Sequence, residues 1–373
     1  MTSSVSARNI ELDFFRGLAL LIIFIGHSIG NPLANYMPRN FGFSDAAEIF
    51  VYCSGLASAW AFGPLFMSET FWKTTARILH RCWQIYWVHI ALAFSVLALM
   101  VSGEETFGRL NSFDDYRLFF DKTQQALPAL MTLQWLPAYL DILPLYLVLL
   151  AAIPLIMLLR RLHPLLPFLA VGALYIAVWS FDLHIQGKVP IEARWFFNPY
   201  AWQLLFFSGF FIGMGWVKVP PLRQPGLIFA ATFFVLAAIP VCTADIYAHH
   251  SFWNDLRNML VPGWHKHNLH ILRYMHFLCL AYLTVSLLSL KPQLVEQPWA
   301  KPVSMAGRQV LASFVAGIFI ARFVTIAYEL VPDHHIIITL AANLMGCALV
   351  IGAAYVANYF KALAKQRSTI TAK

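Results

Sequence analysis

Long apolar windows recur along the whole chain and are the feature that most restricts its fold. Each window has about 20 residues, the length that a helix needs to cross a hydrocarbon core of about 30 Å. The windows cover residues 10–29, 45–66, 80–101, 139–158, 164–180, 200–217, 225–242, 271–289, 309–328 and 336–359. Because backbone groups inside a bilayer must be hydrogen-bonded internally, each window predicts a transmembrane helix. We therefore expect an all-α integral membrane protein, a single bundle of about ten transmembrane helices formed by residues 1–373.

The charges follow the same pattern. The chain is 60% hydrophobic, and its formal net charge is +8 at pH 7. Most basic side chains fall on one set of alternating loops, and most acids fall on the opposite set. The positive-inside rule makes the basic loops cytoplasmic, and an even number of spans puts both termini on that side. The basic charge is thus a sign of topology in a lipid bilayer, and it does not imply nucleic acid.

The metal-binding residue types do not form a convincing site. The five cysteines lie in or at the ends of apolar windows without paired spacing, so they indicate neither a disulfide framework nor a thiolate site. His265, His267 and His270 form the cluster HKHNLH, but no carboxylate stands at a defined ligand spacing from them. We expect no metal. The long loops at 102–138, 181–199 and 243–270 are predicted to be external and to line a mouth.

Three ionisable residues of the first window lie along one stripe of the predicted helix. Arg16 and His27 are eleven residues apart, which brings them to within roughly 20° of the same helix face. Asp13 precedes Arg16 by three residues and extends the same stripe. Ionisable side chains inside a membrane segment are costly and usually mark a site or a pathway. The separation of roughly 16 Å along the helix suits an elongated substrate such as an acyl-coenzyme A.

Histidine is the natural general base for acyl transfer, because its side chain titrates near neutral pH. His27 is positioned to deprotonate an acceptor hydroxyl, with Glu48 or Asp45 orienting its ring from the start of the second window. From spacing alone, a buried histidine bonded to a neighbouring helix explains His27 nearly as well. Both readings therefore stay open on the residues themselves.

A family resemblance favours the catalytic reading. The arginine, ten residues, histidine spacing resembles the signature of membrane acyltransferase 3 proteins, which acylate sugars of the cell envelope. The stretches LDFFRGLALLIIFIGHSIGNPL and RNFGFSDAAEIFVYCSG are similar to the start of OpgC-type proteins, implicated in succinylation of periplasmic glucans. DILPLY (141–146), NPYAWQLLFFSG (198–209) and LHILRYMHFLCLAYL (269–283) match the same pattern. The resemblance implies a catalytic His27, a structural or acyl-donor role for Arg16, and a bacterial inner membrane.

Further candidates are inferred from the residue types and their positions in the chain. Guanidinium groups at cytoplasmic helix ends can bind the phosphates of coenzyme A, although a positive-inside flank explains each of them equally well. With Asp13 and Arg16, these donor-site candidates are Arg77, Arg81 and Arg308. On the outer side, the candidates for binding a sugar are Asn31, Arg39, Asp141, Asn198, Trp202 and Gln203. Asn268, Arg273 and His276 complete the acceptor or acyl site, where a succinyl carboxylate would need a cation such as Arg273.

The sequence thus predicts a membrane O-acyltransferase of the acyl-coenzyme A-dependent class. The donor is acetyl- or succinyl-coenzyme A, and the acceptor is a hydroxyl of a periplasmic or exported polysaccharide such as a glucan. Direct transfer and an acyl-imidazole intermediate both fit. One alternative is a transporter or flippase for a sugar-linked lipid or a small anion, with Asp13 and Arg16 as a gating pair. The other is a non-enzymatic subunit of a polysaccharide synthesis or export complex.

Overall fold

The computed structural model describes residues 9–187, 194–260, 266–331 and 335–371, with side chains up to residue 366. Within these ranges the protein is helical, with one isolated β-bridge and no β-strand. The helices are α1 (Ile10–His27), α2 (Ala46–Ser68), α3 (Phe71–Phe107), α4 (Asp114–Asp121), α5 (Thr123–Met131), α6 (Ile142–Leu162), α7 (Leu166–Phe181), α8 (Pro199–Gly213), α9 (Pro225–Cys242), α10 (Ala244–Tyr247), α11 (Ser251–Leu260), α12 (Ile271–Leu288), α13 (Ala300–Arg308), α14 (Val310–Leu330) and α15 (Ile336–Thr371).

Each of the ten predicted windows contains a helix, which confirms the all-α prediction. Among the described helices, seven are long and apolar enough to cross a membrane: α2, α3, α6, α9, α12, α14 and α15. The other three windows hold α1, which carries Glu11, Asp13 and Arg16, and the shorter α7 and α8. The protein is therefore a multi-pass membrane protein, while the count of ten crossings and the cytoplasmic termini stay predictions.

Two of the predicted external loops contain short helices. The segment 102–138 forms α4 and α5, and the segment 243–270 forms α10 and α11. Asp114 and Asp115 occupy the first turn of α4, where carboxylates interact favourably with the helix dipole. These helices are too short to span a bilayer, which agrees with their position between the apolar windows.

The chain divides into two compact units, one formed by Met1–Asn35 with Thr284–Lys373 and the other by Tyr36–Leu283. In the first unit, α1 packs against α13, α14 and α15. Gly17 on α1 faces the backbone of Val303, and Gly307 on α13 faces the carbonyl of Asp13, so a Cβ at either glycine would overlap main-chain atoms. These two glycines let the backbones of α1 and α13 touch, as small residues do in membrane helix pairs.

The second unit is organised by the crossing of α2 and α8. A Cβ at Gly55 on α2 would overlap the carbonyl oxygen of Phe206, and one at Gly209 on α8 would overlap that of Tyr52. The spacing of small residues on each helix is four, with Ala59 and Gly63 following Gly55 and Gly213 following Gly209. Close approach of the two backbones replaces the hydrophobic driving force that is missing between helices in lipid.

Candidate functional site

Helix α1 carries all three ionisable residues of the predicted stripe. Its first turn is capped by the side chain of Asn9, which accepts a hydrogen bond from the backbone NH of Leu12 at 2.8 Å. The helix then runs unbroken to His27, so Asp13, Arg16 and His27 share one helix as predicted. Asp13 is buried, whereas Arg16 and His27 are partly buried.

The carboxyl end of α1 is held by side chains of the same unit. The last carbonyl groups of a helix have no partner within it and must find one elsewhere. The hydroxyl of Ser28 donates to the carbonyl of Phe24 at 3.1 Å, and the guanidinium of Arg322 on α14 donates to the carbonyl of His27. The hydroxyl of Thr325 accepts from the backbone NH of Ile29 at 2.9 Å. The backbone that follows the Cα of His27 is therefore fixed by α14.

Asn31 continues this anchoring. Its amide donates to the side-chain oxygen of Asn343 on α15 at 2.8 Å, and the amide of Asn343 donates back at 3.1 Å. The amide of Asn31 also donates to the carbonyl of Ile25 at 3.2 Å, near the end of α1. The side chain predicted to bind a sugar is thus buried in a structural network, and its contact with an acceptor stays a prediction.

Arg322 is the residue of this site that the sequence reasoning missed. It lies in the middle of α14 and is 0% exposed. A charged residue at the centre of an apolar window is the signal that would have identified it, because such residues are rare and costly in membranes.

The second unit holds a cluster of charges at the start of α2, in which Glu48 and Arg273 are buried and Asp45 and Lys266 are partly buried. Asp45 caps α2 by accepting from the NH of Ala47 at 2.7 Å, and Glu48 accepts from the NH of Asp45 at 2.8 Å, which completes a capping box. Arg273 on α12 donates from Nε to one carboxylate oxygen of Glu48 at 2.8 Å, and its Nη2 lies 2.7 Å from the same oxygen as an ion pair. Lys266 lies 2.6 Å from Asp45.

These four side chains balance two negative charges with two positive ones. Burial of Asp45 favours its neutral form, but the charges of Lys266 and Arg273 outweigh burial and hold its pKa well below the usual value. Asp45 and Glu48 are thus engaged with cations of their own unit. Their predicted role in orienting His27 stays a prediction.

His276 lies one turn beyond Arg273 on α12 and is also buried. Its Nδ1 is 2.7 Å from the hydroxyl of Ser44, and its ring meets those of Phe43 and Phe234. The ring packs on Gly42, where a Cβ would overlap it. The predicted site residues Asp45, Glu48, Arg273 and His276 are thus brought together by the starts of α2 and α12.

The residues at the start of α8 that were predicted to contact a sugar hydrogen-bond to other segments of the chain. Asn198 caps α8 and donates to the side chain of Asn268 at 2.9 Å, and the indole NH of Trp202 donates to the carbonyls of Lys266 and His267 at 3.0 and 3.1 Å. Trp202 is fully buried. The amide of Gln203 donates to the carbonyl of Val171 at 2.8 Å. These contacts hold the segment that carries Lys266, and direct sugar binding by these side chains stays a prediction.

The remaining candidates are closer to the surface. Arg39 is exposed, while Asp141 is partly buried in front of α6, where burial raises its pKa to about 7. Arg77 and Arg81 lie on α3, bonded to Glu69 at 2.8 Å and Gln84 at 3.1 Å respectively. A separate feature of the first unit is Arg308, which is exposed at the end of α13.

Within the described ranges, no group of three His, Cys, Asp or Glu side chains is arranged to hold a metal. His265 lies outside those ranges. All five cysteines are free thiols.

The fold and these two clusters define a multi-pass α-helical membrane protein with a histidine fixed at the end of a helix and charges buried as ion pairs. The OpgC protein family matches residues 8–362, and the chain belongs to this family. No curated protein and no solved structure matches the chain. Membership in the OpgC family implies a membrane acyltransferase.

Proposed function

We propose that the protein is an acyl-coenzyme A-dependent O-acyltransferase with His27 as its general base. It transfers an acetyl or succinyl group to a hydroxyl of a periplasmic or exported polysaccharide. The observation that carries this proposal is the fixed end of α1, where Arg322 and Thr325 hold the backbone that follows a partly buried histidine. A preorganised base needs such support, because small displacements of a catalytic group are costly.

The reaction requires one proton to move and one bond to be exchanged. A ring nitrogen of His27 takes the proton of the acceptor hydroxyl while that oxygen attacks the carbonyl carbon of the thioester. The new carbon–oxygen bond forms, the carbon–sulfur bond breaks, and the coenzyme A sulfur leaves as a thiolate. The imidazolium then returns its proton to the thiolate, so His27 ends the cycle as it began.

The donor enters from the cytoplasm in this proposal. Arg16, with Asp13 beside it on α1, lies roughly 16 Å from His27, a distance that an extended pantetheine arm can bridge. Arg77, Arg81 and Arg308 bind phosphates, a role for which the planar guanidinium is well suited.

The proposed setting is the bacterial inner membrane, with both termini in the cytoplasm and the acceptor mouth toward the periplasm. The acceptor is a glucan or another exported polysaccharide, and the enzyme associates with the machinery that makes or exports it. The clustering of Asp45, Glu48, Arg273 and His276 supports a polar acceptor side in the second unit.

Thioester cleavage by purified protein tests the proposal. Wild type, His27→Ala and the exposed control His249→Ala are assayed with acetyl- and succinyl-coenzyme A and a short β-glucan. We expect acceptor-dependent release of coenzyme A by wild type and His249→Ala, at least a hundredfold slower release by His27→Ala, and unchanged donor binding. Release that ignores the His27 substitution would refute the general base. A folded protein that binds no coenzyme A would favour the transporter.

A further inference from the structure

We propose that Arg322 is a positioning residue that sets the place of the His27 imidazole, an inference that rests on the proposed role of His27. The observation is a fully buried guanidinium in the middle of α14 that donates to the carbonyl of His27 itself. This contact offers a role for a charge that the apolar pattern of α14 does not require.

The burial of this charge argues against a role limited to holding α1 and α14 together. A buried cation in a membrane helix is costly, and uncharged residues can join two helices at lower cost. The hydroxyl of Thr325, one turn further on, makes such a contact by accepting from Ile29 at 2.9 Å. Asn343 makes another with Asn31. The packing of α1 on α14 and α15 therefore has neutral hydrogen bonds next to the charged one.

Of the three contacts described, that of Arg322 is made to His27 itself. The carbonyl of His27 lies at the end of α1, where it has no partner in the helix, and a charged donor binds it more strongly than a neutral one. Together with the contact of Ile29 two residues further on, this bond fixes the backbone that follows His27. The two dihedral angles of the imidazole side chain start from this backbone. A shift of this backbone moves the base away from the acceptor hydroxyl, which slows the chemical step without removing the donor site.

Arg322→Gln and Arg322→Lys test the inference. Glutamine keeps one donor and removes the charge, whereas lysine keeps the charge and one donor. Ser313→Ala is the matched control, because Ser313 is a buried residue of α14 whose hydroxyl donates to Ala306 at 2.9 Å, away from His27. We expect kcat to fall at least tenfold in Arg322→Gln, with the KM for acyl-coenzyme A within twofold of wild type. Arg322→Lys should be intermediate, and Ser313→Ala should stay within twofold.

Two further readouts separate positioning from a general loss of structure. In the His27→Ala background, Arg322→Gln should lower kcat less than twofold, because a residue that acts through the His27 side chain has no imidazole left to position. The rate at which diethyl pyrocarbonate modifies His27, followed by mass spectrometry, should change at least threefold in Arg322→Gln and less in Arg322→Lys.

The labelling needs no catalytic turnover, so it tests whether Arg322 positions the His27 imidazole even if the proposed function is wrong. An unchanged labelling rate of His27 in Arg322→Gln would overturn the inference. The inference would also be overturned if the separate losses in kcat of His27→Ala and Arg322→Gln multiplied in the double variant. A fall in kcat that is explained by a lower melting temperature and weaker donor binding would overturn it as well. If Arg322→Gln does not fold, the same three criteria apply to Arg322→Lys, which keeps the charge.

Discussion

Removal of the Arg273 charge should destabilise the second unit strongly, because it leaves a carboxylate buried without its partner. Glu48 is 0% exposed, and Arg273 is 5% exposed. Two nitrogens of Arg273 lie 2.7 and 2.8 Å from one oxygen of Glu48, whereas Lys266 is engaged with Asp45 at 2.6 Å. Breaking a buried ion pair on one side costs about 3–5 kcal/mol. We therefore expect Arg273→Gln to lose about that much free energy of unfolding.

The change is measurable as a melting temperature in detergent. With an unfolding entropy of about 2.1 cal/mol/K per residue over 373 residues, a loss of about 3–5 kcal/mol lowers the melting temperature by about 4–6 °C. A thiol-reactive dye reports the transition, because Cys53 on α2 and Cys242 on α9 are buried free thiols.

Two comparisons make the assay specific. Arg194→Gln breaks an exposed pair with Asp182 at 2.8 Å, and exposed pairs contribute about 0–1 kcal/mol, so its melting temperature should fall by about 1 °C or less. The double variant Glu48→Gln/Arg273→Gln removes both buried charges and keeps an acceptor for the capping box, so it should recover most of the loss. A melting temperature of Arg273→Gln equal to that of Arg194→Gln would refute the reasoning, as would a double variant that is less stable than either single one.

Two more substitutions test packing against binding. Gly55→Ala places a methyl group on the carbonyl of Phe206 and should destabilise the protein by about 1–3 kcal/mol or more. Its control, Gly172→Ala on α7, places the methyl group in open space and should be neutral or stabilising by up to about 1 kcal/mol. Melting temperatures and size-exclusion profiles that do not differ between the two variants would contradict the close α2–α8 crossing. Trp202→Phe removes the indole NH that donates to the carbonyl of Lys266, and it should lower the free energy of unfolding by about 1–3 kcal/mol without changing the KM for the acceptor. A raised KM at an unchanged melting temperature would indicate a sugar contact instead.

The helices could be predicted because their signals are local. An apolar run of about 20 residues is read within a single segment, and each of the ten windows holds a helix. The alignment of Asp13, Arg16 and His27 was equally accessible, since helical periodicity alone places them on one helix. The short helices between windows were missed, because amphipathic stretches of ten residues or fewer in polar loops give a weak signal.

The partners of the site residues could not be predicted, because they come from distant parts of the chain. Arg322 is 295 residues from His27, and Arg273 is 225 residues from Glu48. Helical periodicity indicates which residues share a face, but it does not say which helix covers that face. The small-residue spacing that begins at Gly55 and at Gly209 was visible in the sequence and would have indicated that each of these helices packs closely on a neighbour, without saying on which one.

The pairing of Arg273 changes the argument about the acyl group. A succinyl carboxylate was expected to use Arg273 as its cation, but Arg273 is already paired with Glu48, with its Nη2 and Nε lying 2.7 and 2.8 Å from one carboxylate oxygen. A second carboxylate would have to displace a buried partner or accept a site where two acids already balance two bases. Both are unfavourable, because the carboxylate of Glu48 is buried and depends on the positive charge of Arg273, which a second carboxylate would displace or share. Arg273 is therefore better suited to holding α12 on α2 than to selecting succinyl over acetyl. If the donor is succinyl-coenzyme A, its free carboxylate should be recognised by another cation, and the ratio of succinyl to acetyl transfer should be the same in the Glu48→Gln/Arg273→Gln variant as in wild type.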